Sequence, residues 1–285
     1  MAKADLSLGE RRRLREKMLT KHHLANILTH WFNAASWAFL LATGLAILGQ
    51  RVYQTVPAAW SEVVRNLFGG LAPLIRWHES WGMLWAFVLT FNVLLGFRNY
   101  FLPFGARRML LTADDMDWFK QYGRKLVGLP YELPAQDDYN AGQKVFSYVV
   151  VVGIVAIIIS GLIMTFSPQV MRLTAGAQWI IQWAMPVHFT AVGIVVAGLV
   201  VHIYMGALFP EERPAFFSMF SGKVNALYAY IHHRKWYERY MEEERAWERA
   251  QGVKTKPASR TGDGQAGEID FVLDGLVSEH VDERP

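Results

Sequence analysis

Histidine is the residue type on which any chemistry of this chain turns. The 285 residues include nine histidines and no cysteine. Without cysteine there is no disulfide framework, no Cys-ligated zinc, no iron–sulfur cluster held by this chain and no thioether-linked haem. His22, His23, His232, His233 and His280 lie among basic and polar residues and read as surface or interface positions. His30, His78, His188 and His202 instead fall inside or at the edge of long apolar runs. There an ionisable side chain is costly and is a functional candidate by default. His188 and His202 are fourteen residues apart. On one helix that spacing is a rise of about 21 Å, with the two side chains within about 40° of one face. A bare zinc or copper site would want three or four ligands a few ångströms apart. Two imidazoles on opposite sides of a flat macrocycle would instead hold b-type haem iron with no open position, making it an electron carrier.

The elements that must position these residues are four apolar runs: Ile27–Leu48, Trp77–Phe97, Val145–Phe166 and Val187–Leu208. Each is close to the ~20 residues that a helix needs to cross a ~30 Å hydrocarbon core. Hydrophobic residues make up 52% and charged residues only 19% of the chain, against about 25% charged in an average soluble chain. The first run follows 26 residues carrying seven Lys and Arg, is too long for a signal-peptide core, and is not followed by a small-residue cleavage site. The spacing predicts an all-α integral membrane protein, a four-helix transmembrane bundle.

Charge sets the orientation. Of the 29 Lys and Arg, 25 lie in the N-terminal segment, the middle connection and the C-terminal segment, and four in the other two connections. The positive-inside rule places both termini and the middle connection in the cytoplasm. The basic balance is this asymmetry and predicts no nucleic-acid partner. The expected organisation is a cytoplasmic segment over 1–26, the bundle over 27–208, cytoplasmic interfacial and charged helices over 209–250, and a flexible tail over 251–285. Within these, an amphipathic piece is expected at Asp114–Tyr122, an interfacial helix at Ala215–His232, a charged helix at Tyr237–Ala250, a linker at Gln251–Glu268 and a small apolar cluster at Ile269–Val281.

Depth then pairs the histidines. His78 opens the second run and His188 follows the outer connection, so both lie near the outer surface. His30 and His202 lie near the cytoplasmic surface. Two bis-histidine sites result, stacked across the membrane. Gly44, Gly82 and Gly206 fall where a macrocycle needs room, and are equally suited to close helix packing. Gly153, Ser160 and Gly161 suit tight packing of the third run.

At these residues the chain resembles the cytochrome b (gamma) subunit of respiratory, membrane-bound formate dehydrogenase. The resemblance rests on THW at Thr29–Trp31, HESWG at His78–Gly82, YNAGQK at Tyr139–Lys144, VHIYM at Val201–Met205, and GKV and HHRKWY between Phe216 and Tyr237. It runs from about residue 20 to 240, and YNAGQK is its most specific part. It implies two haems b, the outer held by His78 and His188 and the cytoplasmic by His30 and His202. It implies an iron–sulfur (beta) subunit with a membrane anchor and a molybdenum or tungsten catalytic (alpha) subunit as partners, in a bacterial inner membrane, with a higher oligomer of the complex possible. It implies a quinone, menaquinone or ubiquinone, reduced near His202, with Asn140, Gly142 and Gln143 around it and Lys144, Asp137 or Asp138 supplying protons. Formate oxidation itself would belong to the catalytic subunit. Spacing alone favours a different reading, an interfacial helix start with Asn140 as N-cap and Lys144 as an interfacial anchor. The open alternatives are the equivalent subunit of a hydrogenase or thiosulfate reductase, and a haem-free anchor or transporter.

Overall fold

The computed structural model describes residues 6–49, 55–173, 176 and 178–251. The chain divides into two units, 1–242 and 243–285. The described part of the second unit is helical as far as Ala250. The expected apolar cluster at Ile269–Val281, the expected linker apart from Gln251, and His280 lie outside the described residues.

The first unit begins with helix α1 (Leu8–Glu16) and a three-residue strand β1 (Met18–Thr20). Helix α2 (Leu24–Leu48), a short helix α3 (Ala58–Leu67) and α4 (Leu71–Gly96) follow. Wide π-type turns over Phe97–Phe101 and Gly105–Met109, with a single turn α5 (Leu102–Phe104) between them, lead to α6 (Ala113–Leu126). Next come α7 (Ala141–Thr165), α8 (Ser167–Leu173) and α9 (Gln178–Ile203), the last prolonged by a π-type turn at Tyr204–Leu208. The chain closes with α10 (Arg213–Ser221), β2 (Lys223–Asn225), α11 (Ala226–His232) and α12 (Arg234–Ala250).

Among the described residues four helices are long and apolar enough to span a membrane: Leu24–Leu48, Leu71–Gly96, Ala141–Thr165 and Gln178–Leu208. They keep large apolar side chains on the outside, such as Phe87, Leu94, Val152 and Val200. That is the arrangement for a lipid solvent, and the fold is a helical membrane bundle as expected. All four helices start before their apolar runs. Helix α4 begins at Leu71 because Pro73 falls in its first turn, where a missing N–H costs nothing. Helix α9 begins at Gln178. His78 therefore lies two turns inside α4 and His188 nearly three turns inside α9, both deeper than the apolar runs alone imply.

The helices pair as α2 with α4 and α7 with α9, and α4 joins the pairs through α7. Trp85, Ile157, Ala191 and Val195 form the buried centre. Besides a histidine contact described below, helices α2 and α4 are tied by side-chain hydrogen bonds from Trp85 Nε1 to Asn33 Oδ1 (2.8 Å), Trp81 Nε1 to Ser36 Oγ (3.2 Å) and Asn92 Nδ2 to Thr29 Oγ1 (3.1 Å). Buried polar groups in lipid have few other partners, so such bonds fix which helix faces which. Helices α7 and α9 approach through small residues: a Cβ on Gly153 would lie 2.3 Å from Val195 Cγ2, an impossible contact.

The three basic segments meet at one end of the bundle. Strand β1 pairs antiparallel with β2, Leu19 opposite Val224. Arg239 of α12 binds the carboxylates of Asp137 and Asp138 in the middle connection. The expected single helix Ala215–His232 is corrected here. It breaks into α10, β2 and α11, because Gly222 takes a left-handed φ of +75° and a Cβ there would sit 2.6 Å from the His22 carbonyl oxygen. The turn frees the Lys223–Asn225 backbone to pair with β1, the one small β element among the described residues. Helix α6 runs longer than the expected Asp114–Tyr122, and α12 starts three residues before Tyr237.

Candidate functional site

The inner histidines meet. The His30 and His202 ring centroids are 6.4 Å apart, with the planes at 58°. Two imidazoles bound to one metal, each by a bond of about 2 Å, have centroids roughly 6 Å apart. The separation thus suits one six-coordinate iron between them. Phe146 of α7 stacks on the His202 ring at 5.2 Å and 13°. Gly198 admits it: a Cβ there would be 2.9 Å from Phe146 Cε2. Trp31 meets the edge of His30 and donates Nε1–H to the Met219 carbonyl at 2.8 Å, tying the start of α2 to α10.

The outer histidines are each oriented by a hydroxyl on a neighbouring helix. His188 Nδ1 lies 3.1 Å from the Ile157 carbonyl and 3.1 Å from Ser160 Oγ. A carbonyl only accepts, so Nδ1 carries the hydrogen and Nε2 is left with its lone pair. Ser160 Oγ meanwhile donates to the Ala156 carbonyl at 2.6 Å. His78 Nδ1 lies 2.8 Å from Thr43 Oγ1. That hydroxyl donates back to the Phe39 carbonyl at 2.8 Å, so it accepts from His78. Both outer rings thus hold the tautomer that presents Nε2 as a metal ligand, with the second-shell partner that such ligands need. These residues fit a haem group.

The glycines divide. Gly44 packs against His78, where a Cβ would be 3.2 Å from Cε1. Gly161, named above only for packing, does the same for His188 at 3.4 Å. A Cβ on Gly206 would meet open space, leaving room beside His202. A Cβ on Gly82 would make ordinary contact with Leu40 at 3.8 Å, so it serves packing of α4 on α2.

Asn140 and Gln143 form a reciprocal cap on α7. Gln143 N donates to Asn140 Oδ1 at 2.9 Å, and Asn140 N donates to Gln143 Oε1 at 3.0 Å. The cap uses both side-chain oxygens and leaves both amide NH₂ groups as donors. The Trp118 ring of α6 lies over Gly142, 3.4 Å from where a Cβ would be. Lys144 does not reach the interface. It is buried, donating to Asp115 Oδ2 at 2.8 Å and to the Leu110 carbonyl at 3.2 Å. Burial works against the Asp115 charge, but hydrogen bonds from Lys144 and Thr112 outweigh it and hold the carboxyl below the usual carboxylate range. Asp138 goes the other way: burial raises its carboxyl despite Arg108 and Arg239 nearby.

His233, read above as a surface residue, is corrected: it is 2% exposed. Its Nδ1 donates to the Asp137 carbonyl at 2.7 Å, and its Nε2 faces Lys21 Nζ at 3.5 Å. Lys21 lies over the rings of Trp236 (5.3 Å) and Tyr228 (5.7 Å). Burial pushes the Lys21 ammonium down to about 8, against the pull of Glu212 and Asp138. Burial, with Lys21 beside it, pushes His233 to about 3.

Sequence reasoning missed Thr43 and Phe146. Their one signal was position: Thr43 precedes a glycine already assigned to the outer site, and Phe146 lies two residues beyond YNAGQK.

The cytochrome b556(fdo) subunit of formate dehydrogenase from Escherichia coli K12 is 32% identical over 132 residues, 45% of this chain and 57% of that protein. The cytochrome b556(Fdn) subunit of the nitrate-inducible formate dehydrogenase of the same strain is 23% identical over 139 residues, 49% of this chain and 61% of that protein. The chain thus spans about three fifths of the length of these curated relatives. The family model described as prokaryotic cytochrome b561 matches residues 21–222. That stretch holds all four spanning helices and every histidine at membrane depth, so the chain belongs to the prokaryotic cytochrome b561 family, whose members carry b-type haem in the membrane.

Proposed function

We propose that this chain is the dihaem cytochrome b subunit of a respiratory formate dehydrogenase, passing electrons across the bacterial inner membrane to quinone. The 6.4 Å approach of His30 and His202 is the observation that carries the reading. It is supported by the matching tautomers of His78 and His188 and by the two formate dehydrogenase relatives. When bound, haem supplies reversible one-electron carriage. His78 and His188 hold the outer group, and His30 and His202 the inner one. Both termini lie in the cytoplasm, over segments 1–26 and 209–285. Electrons reach the outer group from an iron–sulfur partner, itself fed by a molybdenum or tungsten catalytic subunit.

Quinone binds beside the Asn140 cap. The amide NH₂ groups of Asn140 and Gln143 donate to its carbonyl oxygen, and the Trp118 ring offers a stacking face over Gly142. Phe146, three residues after Gln143 on α7, stacks on His202. Asp138 serves proton delivery better than Lys144, because burial favours its protonated form while Lys144 is locked to Asp115. Cytoplasmic proton uptake with formate oxidised outside would build membrane potential.

A pyridine haemochrome assay on the purified complex should give two haems b per chain. In His202→Ala the inner haem and quinone reduction are lost while the outer haem stays. Retention of both haems by that variant would refute the pairing. Reduction of the haems by formate, and not by hydrogen, separates this reading from a hydrogenase subunit.

A further inference from the structure

The two histidine pairs differ in what holds their rings. Both outer rings donate Nδ1–H to oxygen: His78 to Thr43 Oγ1 at 2.8 Å, His188 to the Ile157 carbonyl and Ser160 Oγ at 3.1 Å each. The two hydroxyls are committed as acceptors, since each gives its own hydrogen to a carbonyl one turn back in its helix, that of Phe39 or Ala156. Among the described residues no hydrogen bond reaches a ring nitrogen of His30 or His202. Those rings meet aromatic side chains instead, Trp31 on one and Phe146 on the other.

We propose that Thr43 and Ser160 are positioning residues that hold the outer haem at a lower reduction potential than the inner one, giving a downhill path from outside to inside. This rests on the haem pairing proposed above. A ring that donates Nδ1–H to an oxygen gains electron density, and its Nε2 becomes a stronger donor to iron. Stronger donation stabilises the ferric more than the ferrous state and lowers the potential, since hydrogen bonding to axial ligands is one of the protein's levers on haem. The inner rings lack such acceptors and donate less, so the inner iron is the easier to reduce. The step served is one electron leaving ferrous iron at the outer site for ferric iron at the inner site, with no bond made and no proton moved. A gradient of this sign carries the electron inward, against the negative potential of the cytoplasmic side.

The test is a potentiometric titration of the haem absorption bands in the purified complex. His188→Ala, which keeps only the inner haem, identifies which component is which. In the unaltered protein the outer component titrates at the lower potential. In Thr43→Val, which keeps the shape and removes the hydroxyl, the outer potential rises toward the inner one while the inner stays. Thr43→Ser restores the original value. Ser160→Ala raises the outer potential less, because the Ile157 carbonyl remains. An outer potential unchanged in both Thr43→Val and Ser160→Ala, or both haems shifting equally, would overturn the proposal. If Thr43→Val lost its outer haem, Ser160→Ala alone would decide by the same criterion. Failure of the pairing looks different: His188→Ala would then not remove one defined haem.

Discussion

At the scale of single residues, the membrane makes side chains legible by their cost. Four histidines inside apolar runs had to be accounted for, and depth sorted them into two pairs, of which the helices bring His30 and His202 to 6.4 Å between ring centroids. Their supporting residues carry no such flag. Thr43 sits in an apolar run as any packing residue would, and only the approach of His78 gives its hydroxyl a purpose. His233 looked basic and exposed in HHRKWY, yet it is buried, because Asp137 of the middle connection and Lys21 near the N-terminus lie against it. Lys144 shows the same limit. Its place at a helix start suggests an interfacial anchor, but Asp115 captures it in a pair whose side chains are 7% and 4% exposed. Removing one member of a buried pair strands the other charge. Lys144→Met should therefore lower stability by about 3–5 kcal/mol, and replacing both by apolar residues should recover most of the loss. Thermal unfolding of the purified protein, followed by loss of α-helical circular dichroism, checks both.

At the scale of elements, the long helices were legible because about 20 apolar residues are a physical requirement of the bilayer. Their starts were not, since Arg76 in α4 and Pro186 in α9 interrupt the apolar runs without ending the helices. The β1–β2 ribbon was illegible for a different reason: three residues on each side carry no periodicity, and their pairing is wholly non-local. The groups beneath this ribbon make it sensitive to acid. His233 is held at about 3 against a usual 6.5. Between those values the unfolded segment takes up a proton that the folded one refuses, so stability is full above 6.5 and falls as pH drops toward 3. The loss is at most about 1.4 kcal/mol for each pH unit crossed. His22, pushed to about 4 by burial, acts in the same direction. Lys21, at about 8 rather than 10.5, adds stability as pH rises through that upper window. Hydrogen exchange at the Leu19 and Val224 amides, corrected for intrinsic rate, should show protection falling from pH 7 to pH 5. The slope should shrink in His233→Asn.

At the scale of the whole molecule, the distribution of charge and the meeting of the three basic segments at one end are independent observations that agree. The absence of cysteine makes the orientation simple to test, because one introduced thiol labels without background. A thiol in Glu132→Cys should react with a membrane-impermeant maleimide only from the cytoplasmic side, and one in Glu62→Cys only from the outside. Reversal of that pattern would invert the assignment of inner and outer sites. The strand pairing also has a consequence in time. Strand β1 leaves the ribosome before the first spanning helix, and its partner β2 only after the last. The ribbon, and the buried residues it covers, therefore cannot close until all four helices have been made and have brought the two ends of the bundle segment to the same face. A chain with one helix left uninserted would place the strands on opposite sides of the bilayer. The closed ribbon is thus a record of completed insertion: β1 stays unpaired until the last of the four helices is in place.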